Sequence, residues 1–171
     1  MPIWVWEVRD MVSDKNRRYA EYFSYVENLI DTPEMKRLEE FSHHYGVSRL
    51  RHCINVSYYS FLVCKKLGLD YGAAARGGLL HDLFFYECAK KRFGAFKHAA
   101  LHPKLAFRNA EKLTVLSPIE KDIILKHMCM SSLVVPRYRE SYIVSFVDKY
   151  CAIWEAAYGL TILMKLKLAF R

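Results

Sequence analysis

Histidine and aspartate recur along this chain at positions where an ionisable group is out of keeping with its neighbours. His52 stands mid-segment among apolar residues. His81 and Asp82 are adjacent and follow Gly78-Leu79-Leu80, and Asp148 closes the apolar stretch Ile143-Val144-Ser145-Phe146-Val147. An ionised carboxylate in apolar surroundings is costly unless it is paired or holds a cation. Imidazole and carboxylate together suit borderline-to-hard divalent metals, here Mn, Fe, Co, Ni, Zn or Mg. Two blander explanations stand beside this one: a lone histidine on an apolar helix is commonly a hydrogen-bonded core residue, and Asp148 could pair with an arginine or lysine. The ordered set favours convergence on a buried cation. It runs His52, then a His-Asp pair 29 residues on, then an aspartate 66 residues beyond Asp82, each on an expected helix.

The elements that must bring these groups together read as helices. Tyr19, Tyr22, Phe23, Val26, Leu29 and Ile30 recur at threes and fours, which is one face of a helix. Thr32-Pro33 predicts a capped second helix to about Phe41. Residues 42–47 read as loop, with Gly46 as breaker. Ser48 caps a long helix to Leu67, with Ile54, Phe61, Leu62 and Cys64 inward, and Gly68 stops it. Asp70 caps an alanine- and glycine-rich helix that arrives at His81-Asp82. Residues 83–101 show no clean period. His102 precedes Pro103, which places it at a helix start, with the helix running to about Leu113. Ser117-Pro118-Ile119-Glu120 has the form of a capping box, and that helix ends near His127. Val134-Val135-Pro136 breaks the chain before a last helix from about Glu140 to Ala156. The expectation is an all-α, single-domain helical bundle. Its core spans about residues 40–155, with an N-terminal helical extension (1–39) and a C-terminal helical tail (157–171).

Composition agrees with a globular, helical domain. Apolar residues make up 53% and charged residues 26%, and there are only 7 glycines and 5 prolines in 171 residues. The formal net charge of +8 suits an anionic partner, whether nucleotide, phosphate ester or nucleic acid, and equally suits plain solubility. The 5 cysteines form no CxxC pair and lie among apolar residues, as small hydrophobes do. No window reaches the roughly 18 apolar residues of a membrane span, and the start lacks the pattern of a secretory signal. A reducing cytoplasm is expected by elimination. The apolar Trp4-Val5-Trp6 and the tail 162–170 either pack on the bundle or form a homodimer contact.

The order His52, His81-Asp82, Asp148, with Gly78-Leu79-Leu80 before the pair and Lys149 after the final aspartate, resembles the HD superfamily of metal-dependent phosphohydrolases. The resemblance covers roughly residues 40–155. It is strongest to small bacterial stand-alone HD proteins, to which His98-Ala-Ala-Leu-His102-Pro103, Ile124-Leu125-Lys126-His127-Met128 and Val147-Asp148-Lys149-Tyr150 are also similar. It implies a helical fold in which His52, His81, Asp82 and Asp148 bind a divalent metal, with Asp82 and His81 at the chemistry. Binuclear members add histidine ligands between the His-Asp pair and the last aspartate. His102 and His127 match those positions, with Asp82 then bridging two ions. Some binuclear members carry a further histidine where this chain has Met128.

A phosphate ester resists hydrolysis because water is a poor nucleophile and the phosphoryl group is already anionic; a divalent cation relieves both difficulties. The expected reaction is therefore hydrolysis of a phosphate ester or anhydride of a nucleotide-like small molecule, with Asp82 orienting or deprotonating the water. Many relatives carry a lysine three residues after the His-Asp pair, where this chain has Phe85. Arg137, Arg139 and Lys149 are the cations that could contact phosphate in its place, guanidinium forks being matched to phosphate. His98, four residues before His102, is read as a phosphate contact or a support for a ligand, with Pro103 separating the two. His43 and His44 are read as exposed or at the pocket rim, and Phe84, Phe85, Tyr86, Phe93 and Phe96 as an aromatic wall near the site. The alternative function is a catalytically silent nucleotide-sensing module. A nucleic-acid binder ranks last, since no reading motif is present.

Overall fold

Four of the helices begin at a short polar side chain that accepts a backbone N–H, the group a helix start leaves unsatisfied. A computed structural model describes residues 14–44, 47–86, 95–132 and 134–169, with side chains described for 17–42, 47–86, 100–132 and 134–161. Seven α-helices occur among them: α1 (Asp14–Ile30), α2 (Pro33–Arg37), α3 (Arg49–Lys66), α4 (Tyr71–Leu80), α5 (Ala95–Leu113), α6 (Pro118–Lys126) and α7 (Arg139–Ala169). Thr32, Ser48, Asp70 and Ser117 cap α2, α3, α4 and α6. At Ser117 both halves of the capping box form: its hydroxyl accepts from Glu120 N at 3.2 Å, and Glu120 Oε2 accepts from Ser117 N at 2.6 Å. Gly68 adopts φ 65°, the left-handed turn that ends α3.

The core is organised around α3 and α4. α4 packs on α3, α6 and α1, while α7 lies across α3 and α6 and α5 packs on α6. A Cβ on Gly78 would come within 3.0 Å of the Ser57 Cα, so the glycine lets the α3 and α4 backbones touch. Ser57 ties three helices by donating to the Ala75 carbonyl at 2.6 Å and accepting from Tyr22 of α1 at 2.9 Å. One apolar cluster joins Tyr22, Leu29, Phe61, Leu79 and Ile124; a second, Val56, Ala74, Ile123, Val144 and Cys151, fills the space under α7. Cys53, Cys64 and Cys151 are buried free thiols within this packing. The head of α7 is held by Asp122 of α6, whose Oδ2 accepts from Arg137 N, Tyr138 N and the Ser141 hydroxyl.

Four features differ from the sequence expectation. Residues 42–47 are not simple loop: Ser42–His44 (β1) pairs antiparallel with Val47–Ser48 (β2). Pro103 lies inside α5 and does not start it, so His98 and His102 share one helix, four residues apart. A proline costs the helix one backbone hydrogen bond; here the buried stripe of Ala106 and Ala110 holds the helix through it. The helix expected to end at about Ala156 and the helical tail expected after it are one element, α7 running on to Ala169 through residues rich in good helix formers and without proline. Phe23, expected inside, is 39% exposed: its neighbour Tyr22 takes the core-facing position, and adjacent residues point about 100° apart.

No helix among the described residues is long and apolar enough to cross a membrane. Trp4-Val5-Trp6 and the side chains of His43, His44, Phe93, Phe96, His98 and residues 162–170 lie outside the described residues.

Candidate metal centre

Six buried side chains from five parts of the chain meet where the ends of α4 and α6 face α3, α5 and α7. His52 comes from the first turn of α3, and His81 and Asp82 from the end of α4. His102 comes from α5, His127 from the C-cap of α6, and Asp148 from α7; none is more than 6% exposed. Asp148 Oδ1 lies 3.1 Å from His52 Nε2 and 3.8 Å from His81 Nε2. His81 Nε2 is in turn 3.9 Å from Asp82 Oδ2. On its other side Asp82 Oδ1 lies 3.4 Å from His102 Nε2 and 3.6 Å from His127 Nε2, and these two nitrogens are 2.8 Å apart.

These spacings suit ligation. Donor atoms about 2.0–2.2 Å from a common ion lie between about 3 and 4.2 Å from each other. His52, His81 and Asp148 form one compact triad of donors, and His81, Asp82 and His127 a second that shares His81. The clearest sign is His81 Nε2, which is fully buried and has no hydrogen-bond partner. A buried polar atom left so is expensive, and one aimed between two carboxylates fits a cation.

The far side of each ring sets which nitrogen faces the cluster. His81 Nδ1 donates to the Gly78 carbonyl at 2.7 Å and His127 Nδ1 to the Ile124 carbonyl at 2.9 Å, three residues back in each case. With that proton committed, Nε2 carries the lone pair. Burial holds the His81 imidazole below its ordinary range, and burial together with His81 and His102 takes His127 down to about 3. His52 behaves oppositely. Burial opposes its protonation, but the hydrogen bonds it donates to Asp148 and Glu155 outweigh it and push the ring up to about 10. Burial likewise opposes the charge on Asp148, and His52, His81 and Lys149 hold its carboxyl well below the usual range despite it.

The segment after the His-Asp pair is anchored by Arg49, the first residue of α3. Its guanidinium is fully buried, donates to the Phe84 carbonyl at 2.6 Å and the Tyr86 carbonyl at 2.9 Å, and lies 3.8 Å from the centre of the Phe84 ring. Phe84 also faces His102, 5.4 Å between ring centres, so this part of the expected aromatic wall does border the site. Phe85 instead packs away from it, against Phe41 and Arg37. Arg49→Leu is expected to cost roughly 3 kcal/mol, because a buried and a part-buried carbonyl lose a charged donor. Arg49→Lys should recover little of it, since an ammonium cannot reproduce the fork. Denaturant midpoints of the two variants would check this; a loss under about 1 kcal/mol would mean that the carbonyls find other donors.

The candidate substrate contacts fall in different places. Lys149 Nζ is 2.7 Å from Asp148 Oδ2 and 3.2 Å from Met128 Sδ, at the edge of the cluster. Arg137 and Arg139 are exposed at the head of α7, Arg139 nine residues before Asp148, roughly 13.5 Å along the helix. Sequence reasoning missed Glu155. It is 2% exposed on α7 and bonds His52. The signal available was its spacing of seven from Asp148, which returns to the same helix face.

No family model matches the chain, and no solved structure matches it. It is similar over 39 residues, at 51% identity, to proteins named Ribonuclease Y from three strains of Clostridium perfringens. The match covers 23% of this chain and 8% of the length of those proteins.

Proposed function

We propose that this chain is an HD-type metal-dependent phosphohydrolase acting on a phosphate ester or anhydride of a nucleotide-like small molecule. In this reading His52, His81, Asp82 and Asp148 would hold a divalent cation, and His102 and His127 are the residues that would take a second if two are bound. The observation that carries it is the buried His81 Nε2 without a hydrogen-bond partner, facing the Asp148 and Asp82 carboxylates. A bound divalent cation supplies Lewis-acid polarisation of a phosphoryl oxygen and acidifies water. The protein's own groups do the rest. Asp82 orients the attacking water and accepts its proton. The Nδ1–H bonds to Gly78 and Ile124 keep His81 and His127 in the ligating tautomer. Lys149 Nζ, beside Asp148, offers positive charge to the phosphate, and Arg137 and Arg139 add to the field that draws an anion in. The short likeness to proteins named Ribonuclease Y supports including a phosphodiester among the substrates tried.

The test is metal content of protein purified without chelator, measured beside hydrolysis of an aryl phosphate, a bis-aryl phosphodiester and a nucleotide panel. One or two transition metals per chain with turnover of any of these is the expected result. Bound metal with nucleotide binding and no turnover would replace the enzyme by a sensing module. No metal under any supply would overturn the reading.

A further inference from the structure

His52 has both ring nitrogens engaged by α7. Nε2 faces Asp148 Oδ1 at 3.1 Å, and Nδ1 meets Glu155 Oε2 at 2.9 Å. The two carboxylates are seven residues apart on α7, so they lie on one face about two turns from each other, with the imidazole between them. Glu155 is itself held: Asn55, three residues after His52 on α3, donates to its other oxygen at 3.0 Å. α3 thus grips the Glu155 carboxylate with two side chains from adjacent positions on one face.

A carboxylate 2% exposed is an expensive way to fill space. Buried polar networks of this kind are often replaced by apolar residues at no loss of stability, so stability alone is weak grounds for keeping one. The geometry does something an apolar residue would not. By keeping the Nδ1 proton, Glu155 makes Nε2 the nitrogen that gives up its proton to a metal, with its lone pair then on the side of His81 and Asp148. His81 and His127 reach the same end through backbone carbonyls three residues back. His52 uses the distant Glu155 instead.

We propose that Glu155, fixed by Asn55, is the positioning residue for His52, setting its tautomer and ring orientation for metal binding. The inference rests on the metal reading above. Glu155 approaches the ring from the side opposite the ligand cluster, so it acts through His52 and does not ligate the same ion.

The experiment is zinc affinity of the full chain, by competition with a chromogenic chelator, for the wild type, Glu155→Ala, Glu155→Gln, Asn55→Ala, His52→Ala and the double variant His52→Ala/Glu155→Ala. Removal of a group that orients a metal ligand weakens binding by about 10- to 100-fold, the loss expected for Glu155→Ala. Glu155→Gln, whose carbonyl still accepts from Nδ1, should recover most of it. Asn55→Ala should lose less than Glu155→Ala. The double variant should bind no more weakly than His52→Ala, because a residue acting only through His52 has nothing left to position. Wild-type affinity in Glu155→Ala, beside weakened binding in His52→Ala, would overturn the proposal and leave the metal reading standing. So would additive losses in the double variant. If Glu155→Ala fails to fold, the Gln and Asn55 variants decide: losses there of the same size as in His52→Ala would mean collapse of the site and not positioning. Zinc binding that is absent in the wild type, or unaffected by His52→Ala, would overturn the metal reading and this inference with it.

Discussion

Asp82→Ala should lower phosphoester hydrolysis by at least about a thousandfold, since several kcal/mol of transition-state stabilisation are attributed to a correctly held cation and each decade of rate is about 1.4 kcal/mol. Asp82 has the central place in the cluster: one oxygen faces His81 and the other faces both His102 and His127. Removing it therefore takes a candidate donor from each half of the site at once. Bound metal should fall in parallel. Asp82→Asn makes the comparison sharper. It keeps the shape and one oxygen but loses the charge and the capacity to take a proton from water, so it should retain more metal than Asp82→Ala while remaining nearly inactive. Fold integrity is checked by circular dichroism. Loss of a buried carboxylate should not unfold the protein, because Leu83 and Phe84 beside it remain packed and anchored by Arg49. Hydrolysis within tenfold of wild type in Asp82→Ala would remove Asp82 from the chemistry and with it the proposed mechanism.

Metal affinity should rise about tenfold per pH unit between neutral pH and about pH 9, with one proton released per chain on binding. The reason is His52. In the metal-free protein Asp148 and Glu155 push its imidazole from the ordinary value of 6.5 up to about 10, so the ring holds a proton at neutral pH that a metal must displace. His81 and His127 add nothing to this slope, because burial has already removed their protons. Stability of the metal-free protein should run the other way. A group whose pKa is raised on folding contributes fully below its unfolded value and loses that contribution as pH rises through its folded value. The window here is 6.5 to about 10, so chelator-treated protein should melt earlier at pH 9.5 than at pH 6.5. Calorimetric titration with zinc in two buffers of different ionisation enthalpy measures the proton count directly. A count of zero at pH 7.5, with a flat affinity profile, would mean that His52 is not a ligand.

Much of the scaffold was legible because it is written locally. A capping residue and the chain it caps lie within four positions, so Thr32, Ser48, Asp70 and Ser117 announce their helices in sequence, and Gly68 announces an end. The candidate ligands were also legible, for a different reason. Histidine and aspartate in apolar surroundings cost free energy wherever the chain folds, so their presence at His52, His81, Asp82 and Asp148 called for a partner. What local pattern could not supply was decided by packing. Pro103 biases the residue before it away from helix, yet α5 continues through it, with Ala106 and Ala110 buried on the side that follows. Gly159 could have stopped α7 as Gly68 stops α3, yet the helix runs on past it. Glu155 reads as an ordinary helical glutamate until α3 and α7 are brought together, when a residue 103 positions away in sequence becomes the hydrogen-bond partner of His52. The sequence alone thus determined the helices and the residues able to bind a cation. The tertiary structure decided which nitrogen of each ring faces inward and which groups hold it there, because those depend on contacts between helices and not within them.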